Sequence, residues 1–134
     1  MATMNAEQSA PGAQRAYFTH LAEGRFLIQR CGACDRHVFY PRVLCVHCGS
    51  PRLDWVAPAG TGTVYSTSIV RRKAEDGGDY NVALVDLDEG VRMMSRIEGV
   101  ALDRIAIGMR VRARIAAGDE GPVVVFDPAR GDER

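Results

Sequence analysis

At 134 residues and 14.6 kDa, the chain has room for one ordinary domain or two small modules, and none for a large independent catalytic domain. Its 46% hydrophobic and 25% charged residues are those of a folded globular protein, and seventeen Lys and Arg balance seventeen Asp and Glu, so a global basic pull on nucleic acid is absent. No apolar run approaches the ~20 residues of a membrane span, and Met1 to Gln8 lacks the basic and apolar regions of a signal peptide, so a cytoplasmic protein without a membrane partner is expected.

Taken in chain order, residues 1–12 are polar and small and end on Pro11-Gly12, which predicts a tail. From Ala13 to Glu23 the residues Ala16, Tyr17, Leu21 and Ala22 keep helical spacing, and Gly24 is placed to end a short amphipathic helix. Arg25–Arg30, Val38–Pro41 and Leu53–Val56 predict three short strands around two cysteine pairs, a module covering 13–59 with the helix. Beyond it, turn signals separate five strand-like runs: Gly62–Arg71, Asn81–Asp88, Val91–Ile97, Met109–Ala116 and Pro122–Phe126. Asp88-Glu89-Gly90 predicts a tight hairpin, and the stretch from Glu98 to Gly108 has room for one helical turn at Leu102–Ile105. Five strands with the longer connection between the third and fourth predict an OB-type barrel over 60–128, with 129–134 as a second tail, so the fold class expected is mainly β. In the fourth strand Met109, Val111, Ala113 and Ile115 share one face while Arg110, Arg112 and Arg114 share the other; in the third, Met94 falls on the outward face with Arg92 and Arg96.

The chemistry concentrates in Cys31-x2-Cys34 and Cys45-x2-Cys48. Each C-x2-C turn presents two thiolates from one knuckle, and two knuckles ten residues apart can close a tetrahedral site on one Zn²⁺. A redox dithiol and a rubredoxin-like iron site remain as alternatives for the same sulfurs. Four protein ligands leave no open position for water or substrate, so the metal expected is structural. His37 and His47 are expected as exposed loop residues beside the knuckles, and His20 as a structural or solvated helical residue. No nucleophile stands next to a base, Gly60-x-Gly62 reads as a strand-entry turn, and Asp86, Asp88 and Glu89 read as a solvated turn lacking calcium-loop spacing. Two basic sets, Arg71-Arg72-Lys73 and Arg110, Arg112, Arg114, are candidates for contact with a phosphate or a partner; as the first and fourth barrel strands are neighbours, the sets are expected to share one patch, against the plainer reading of a solvated face. Tyr17, Phe18, Phe26, Phe39 and Tyr40 crowd the N-terminal third as core or as partner anchors.

Several stretches together resemble a known family: Ala22-Glu-Gly-Arg-Phe-Leu-Ile-Gln-Arg-Cys31, Pro41-Arg42 before Cys45, Cys48-Gly-Ser50, Gly60-Thr-Gly-Thr-Val-Tyr-Ser66, Val82 to Val91 and Ile107-Gly-Met-Arg-Val111. Over about residues 16–128 the chain is similar to the acyl-CoA-associated proteins with a rubredoxin-like zinc ribbon and a C-terminal OB-fold, the domain of unknown function 35 family. It departs at Asp35, where the family commonly has glycine, and at Val46, where proline is common; both bear on knuckle shape. The resemblance implies a non-catalytic accessory subunit in a hetero-oligomer with a thiolase-like enzyme, which holds the catalytic cysteine and histidines, and a coenzyme A thioester as candidate ligand. Two readings from other classes stand beside it, a nucleic-acid-binding zinc-ribbon OB protein and a rubredoxin-like electron carrier; the barrel strands hold only Tyr65, Tyr80 and Phe126 for base stacking, against the first.

Overall fold

The computed structural model describes residues 12–119 and 121–129, so the two expected tails lie outside it but for Gly12 and Ala129. Helix α1 runs Gly12–Ala22 and buries Ala13, Tyr17 and Leu21, one stripe at four-residue spacing. Its end is fixed by Gly24 at φ 81°: the Gly24 N–H donates to Leu21 O and the Arg25 N–H to His20 O, the paired bonds of a Schellman cap.

Three strands follow, β1 (Ile28–Cys31), β2 (His37–Val38) and β3 (Leu53–Val56), in the order β2-β1-β3 and all antiparallel. Gln29 pairs with Val38 on one side and Trp55 on the other, which fixes the register of this small sheet. Its core is slight: Cys31, Val38 and Cys45 are buried, with Cys34 and Leu53 packed against them. Leu27, Ile28, Tyr17 and Leu21 are buried as well, so a cross-link through the cysteines would add to a small apolar core.

The second sheet has β4 (Thr61–Val70), β5 (Tyr80–Leu87), β6 (Arg92–Ser95), β7 (Arg110–Gly118) and β8 (Gly121–Pro128), in the order β6-β5-β4-β7-β8. The curled sheet closes between its ends through a parallel bridge, Ile97 to Phe126, where the Phe126 N–H donates to Arg96 O and the Glu98 N–H to Phe126 O. Third strand beside fifth in parallel is the closure of an OB barrel, and the mainly β architecture is as expected. Alternation builds the interior in β5 and β6, where Ala83, Val85, Leu87 and Met93 are buried and Met94 is 70% exposed; Val64 and Val111 join them, and β8 instead buries Val124, Val125 and Phe126 in a row. Buried Asn81 donates to Thr67 Oγ1 (2.6 Å) and Ser68 O (3.1 Å) and accepts the Ile97 N–H (2.9 Å), joining three segments with its amide satisfied.

Two features bend β4. The register with β5 shifts between Val64 and Ser66, leaving Tyr65 as the extra residue of a bulge. At Gly62 a Cβ would lie 2.6 Å from Asp86 O, so β5 approaches closely only because no side chain is present. The Asp88–Gly90 connection is a three-residue hairpin with Gly90 at φ 92°, and a short 3-10 helix, Leu102–Arg104, occupies the long connection. The chain divides into two compact units, one reaching Pro58 and including Ala117–Val123, the other holding Ala59–Ala116 and the residues from Val124.

Gly62→Ala is expected to destabilise the barrel by about 1–3 kcal/mol, since the new methyl meets backbone that cannot rotate away. Gly12→Ala, in helix α1 with nothing within 4 Å, is the control and should be neutral or stabilising by up to about 1 kcal/mol. Equal midpoints in denaturant for both variants would show that the close approach costs nothing.

Candidate metal centre

The two knuckles are built alike, bond for bond. In the first, the Asp35 N–H donates to Cys31 O (2.9 Å), the Cys31 N–H to Arg36 O (2.9 Å) and the Ala33 N–H to Cys31 Sγ (3.3 Å). In the second, the Gly49 N–H donates to Cys45 O (2.8 Å), the Cys45 N–H to Ser50 O (2.8 Å) and the His47 N–H to Cys45 Sγ (3.3 Å). Each turn needs a left-handed residue after its second cysteine, and these are Asp35 at φ 70° and Gly49 at φ 82°. The departure at Asp35 therefore keeps the knuckle shape: aspartate tolerates this backbone, and its carboxylate pairs with Arg30.

These turns bring Cys31, Cys34, Cys45 and Cys48 together, with all four sulfurs within 4.8 Å of one another. The Cys31–Cys48 and Cys34–Cys45 sulfurs are 3.6 and 3.7 Å apart. Zn–S bonds of about 2.3 Å in a tetrahedron give sulfur–sulfur edges of about 3.8 Å, so the donor set fits one zinc ion. The N–H groups of Cys34 and Ala33 both point at Cys31 Sγ and hold that thiol below the usual cysteine range, at about 6. Against the lowering bond from the Ser50 backbone, the adjacent Cys31 sulfur and burial push Cys48 up to about 11, so the four sulfurs do not all ionise unaided. Cys31 and Cys45 are buried, Cys34 is half-buried and Cys48 is exposed.

The histidines stay outside the cluster. His37 is half-buried on β2 rather than exposed in a loop, because it pairs with Arg30 across the sheet. His47 is exposed as expected; its Nε2–H donates to His37 O (3.2 Å) and its Nδ1 faces Arg36 Nη1 (3.5 Å). His20 lies edge-on to Trp55, ring centroids 5.2 Å apart.

The basic groups do not form the single patch that strand adjacency suggested. Strand β4 does pair with β7, but the register sets Thr63 opposite Arg110 and Thr61 opposite Arg112, at the start of β4. Arg71 comes after the end of β4, eight positions beyond Thr63, roughly 25 Å along an extended strand. Nor are these charges unopposed: Arg110 forks onto Asp88 (2.8 and 2.9 Å), Arg114 onto Asp127 and Glu98, and Arg71 meets Asp79 (2.7 Å). Arg72 donates to Gly78 O and lies 4.5 Å from the Tyr80 ring centroid; Arg112 and Lys73 are exposed.

The acidic hairpin is likewise bonded instead of simply solvated. Asp86 takes a bidentate Arg92, Asp88 accepts from Arg110 and Thr61, and Glu89 Oε2 accepts the Ala59 N–H (2.8 Å). Arg110 and then Thr61 hold the Asp88 carboxyl down at about 2. One contributor to the metal region had no sequence signal beyond being a polar residue in an apolar run: Gln29, 3% exposed, donates through Nε2 to Arg42 O and accepts the Arg42 N–H at Oε1, both 2.7 Å.

Residues 18–54 match the family model of the ChsH2 rubredoxin-like zinc ribbon domain, and residues 55–116 that of the ChsH2 C-terminal OB-fold domain. A DUF35 domain-containing scaffold protein of Methanocaldococcus jannaschii is 31% identical over 113 residues, 78% of this chain and 80% of that protein. A probable enoyl-CoA hydratase alpha subunit of Thermomonospora curvata is 40% identical over 116 residues, 84% of this chain; the chain spans only 36% of that protein's length. A solved chain described as Ltp2-ChsH2(DUF35) aldolase superposes with a TM-score of 0.80 at 36% identity, covering 91% of this chain and 98% of that one.

Metal analysis is expected to find one equivalent of zinc, and Cys45→Ser to lose the metal and several degrees or more of melting temperature. Unchanged metal content and stability in that variant would rule the sulfur cluster out as a metal site, and a coloured protein would mean iron. For Asp88, a folded-state pKa of about 2 lies below the ordinary aspartate value of about 3.9, so its pairing adds stability above pH 4 that is lost as the pH falls toward 2. Asp88→Asn should thus cost up to about 1 kcal/mol at neutral pH, with the gap to wild type closing on acidification; a gap that is constant across pH would refute this.

Proposed function

The chain belongs to the DUF35 family of ChsH2-type proteins, a rubredoxin-like zinc ribbon followed by an OB-fold, and from that premise we propose that it is a non-catalytic accessory subunit of an acyl-CoA-processing enzyme. The observation that carries this is the commitment of all four cysteines to one mutual cluster, which leaves no thiol for catalysis. Its three histidines have no cysteine or serine nucleophile hydrogen-bonded to them among the described residues. Two of the relatives' names fit the same division of labour, a scaffold protein and a chain described together with an aldolase, while the hydratase alpha subunit, of which this chain spans 36%, fits membership of a hetero-oligomer.

In this reading Cys31, Cys34, Cys45 and Cys48 hold one zinc, which cross-links the two knuckles, and residues 13–59 and 60–128 act as ribbon and barrel modules. The partner, a thiolase-like enzyme in a cytoplasmic hetero-oligomer, supplies the catalytic cysteine and histidines and takes the coenzyme A thioester as substrate. Ion pairing at Arg71, Arg110 and Arg114 argues against a preformed phosphate site on those residues, so the thioester is assigned to the partner, with this chain shaping or stabilising that subunit.

The isolated chain should show no turnover with acyl-CoA substrates in thiolysis, hydration or retro-aldol assays. An enzyme subunit purified with it from the native host should gain activity or stability at least severalfold when the chain is added back. Robust turnover by the isolated chain, abolished by a single substitution in it, would overturn the accessory reading.

A further inference from the structure

Between strand β2 and the second knuckle the chain presents its large apolar side chains outward. Tyr40 is 40% exposed, Val43 66%, Leu44 52% and Val46 58%, four such residues within seven positions. A loop that simply lacked a core would be expected to be loosely held, and this one is pinned at three points. Phe39 sits against buried Tyr17, ring centroids 5.5 Å apart. Arg42 has both its backbone N–H and C=O taken by the buried Gln29 amide. Cys45 is buried in the sulfur cluster. The exposed residues alternate with these anchors, so the loop is stiff where it is most apolar. Valine, with one dominant χ1 rotamer, loses little side-chain entropy on being covered, which makes Val43 and Val46 inexpensive to bury.

The charge around the loop says what covers it. Residues 12–58 hold six arginines against Glu23, Asp35 and Asp54. Glu23 and Asp35 are already paired with Arg25 and Arg30. Among the described residues, Arg36 and Arg42 meet no carboxylate; Arg36 has only the His47 ring, and the exposed Arg42 side chain flanks Val43 directly. An aliphatic centre with a cationic rim complements an apolar recess edged by carboxylates. Three of the four exposed side chains are aliphatic and only Tyr40 offers a ring, so a nucleic acid, which needs successive stacking surfaces, is a poor fit.

Resting on the accessory reading above, we propose that the loop from Tyr40 to His47 is the docking element for the enzyme subunit, inserting Val43, Leu44 and Val46 into an apolar recess on that subunit whose acidic rim meets Arg36 and Arg42. Leu44 is the central anchor, and the Gln29 clamp holds the loop in its docking shape before the partner arrives.

The test uses the full chain and the purified enzyme subunit that co-purifies with it, with affinity measured by titration. Leu44→Asp should weaken binding at least tenfold while keeping its zinc and its circular dichroism. Arg42→Glu, which leaves the clamped backbone in place, should weaken it severalfold and flatten the salt dependence. Met94→Asp, on the exposed barrel face, should bind within about twofold of wild type. If Leu44→Asp failed to hold zinc, Arg42→Glu alone would decide. Wild-type binding that neither variant disturbs would refute the docking loop and leave the accessory role standing; no binding by wild type to any enzyme subunit would instead sink the accessory role, and the docking loop with it. Two other occupants are read in parallel. Wild type binding vesicles of equimolar phosphatidylcholine and phosphatidylglycerol, or self-associating by light scattering, with Leu44→Asp deficient in that and normal toward the enzyme subunit, would overturn the proposal in favour of a membrane or a second copy.

Discussion

Four sulfur atoms within 4.8 Å of one another are the constraint around which residues 28–56 are arranged. Left as uncharged thiols they would be weak partners, and as bare thiolates they would repel, so the arrangement is coherent only with a cation at its centre. The constraint explains the rest of the module. Two knuckles with the same bonds supply the sulfurs, a three-stranded sheet with a small apolar core of Ile28 and Val38 carries them, and α1 adds Tyr17, packed on Phe39, and Leu21 to that core.

Local chemistry was legible in the sequence because its causes are local. Paired C-x2-C spacing marks the knuckles, Gly24 marks the end of α1, and alternation from Met109 to Ile115 marks β7, all without knowledge of distant partners. What stayed hidden depends on register. Arg110 looked free beside its neighbours in sequence, and its carboxylate, Asp88, is 22 positions away and reaches it only once β4 lies between β5 and β7. Adjacency of the first and fourth strands follows from the fold, but not that their backbone bonds run only over Gly60–Val64, at the start of β4, which separates the basic sets. His37 leaves no strand signal in the sequence, because a two-residue strand is too short for a periodic pattern. Asp35 shows the reverse, a departure from glycine that bears on knuckle shape and is accommodated by the tolerance of aspartate for left-handed backbone.

On the accessory reading proposed above, the chain lends no reacting group and can still determine whether a reaction proceeds. The ribbon offers a surface loop whose shape is set by Gln29, Phe39 and Cys45, with the sulfur cluster supplementing a small apolar core. The barrel has its own interior and its own satisfied polar joint at Asn81, so its order rests on ordinary packing.

The closing seam of the barrel differs in kind from its other strand pairs. Strands β4 and β5 are matched at eight residue pairs, whereas the parallel bridge at Ile97 and Phe126 is flanked by the Phe126 and Glu98 backbone bonds and by the Ser95 hydroxyl on Val124 O. Beside that line stand Arg96, Glu98, Arg114 and Asp127, solvent-facing ion pairs that dissolved salt weakens. The amide protons of Glu98 and Phe126 are therefore expected to be traded with the solvent sooner than those of the β4–β5 ladder, the more so as ionic strength rises.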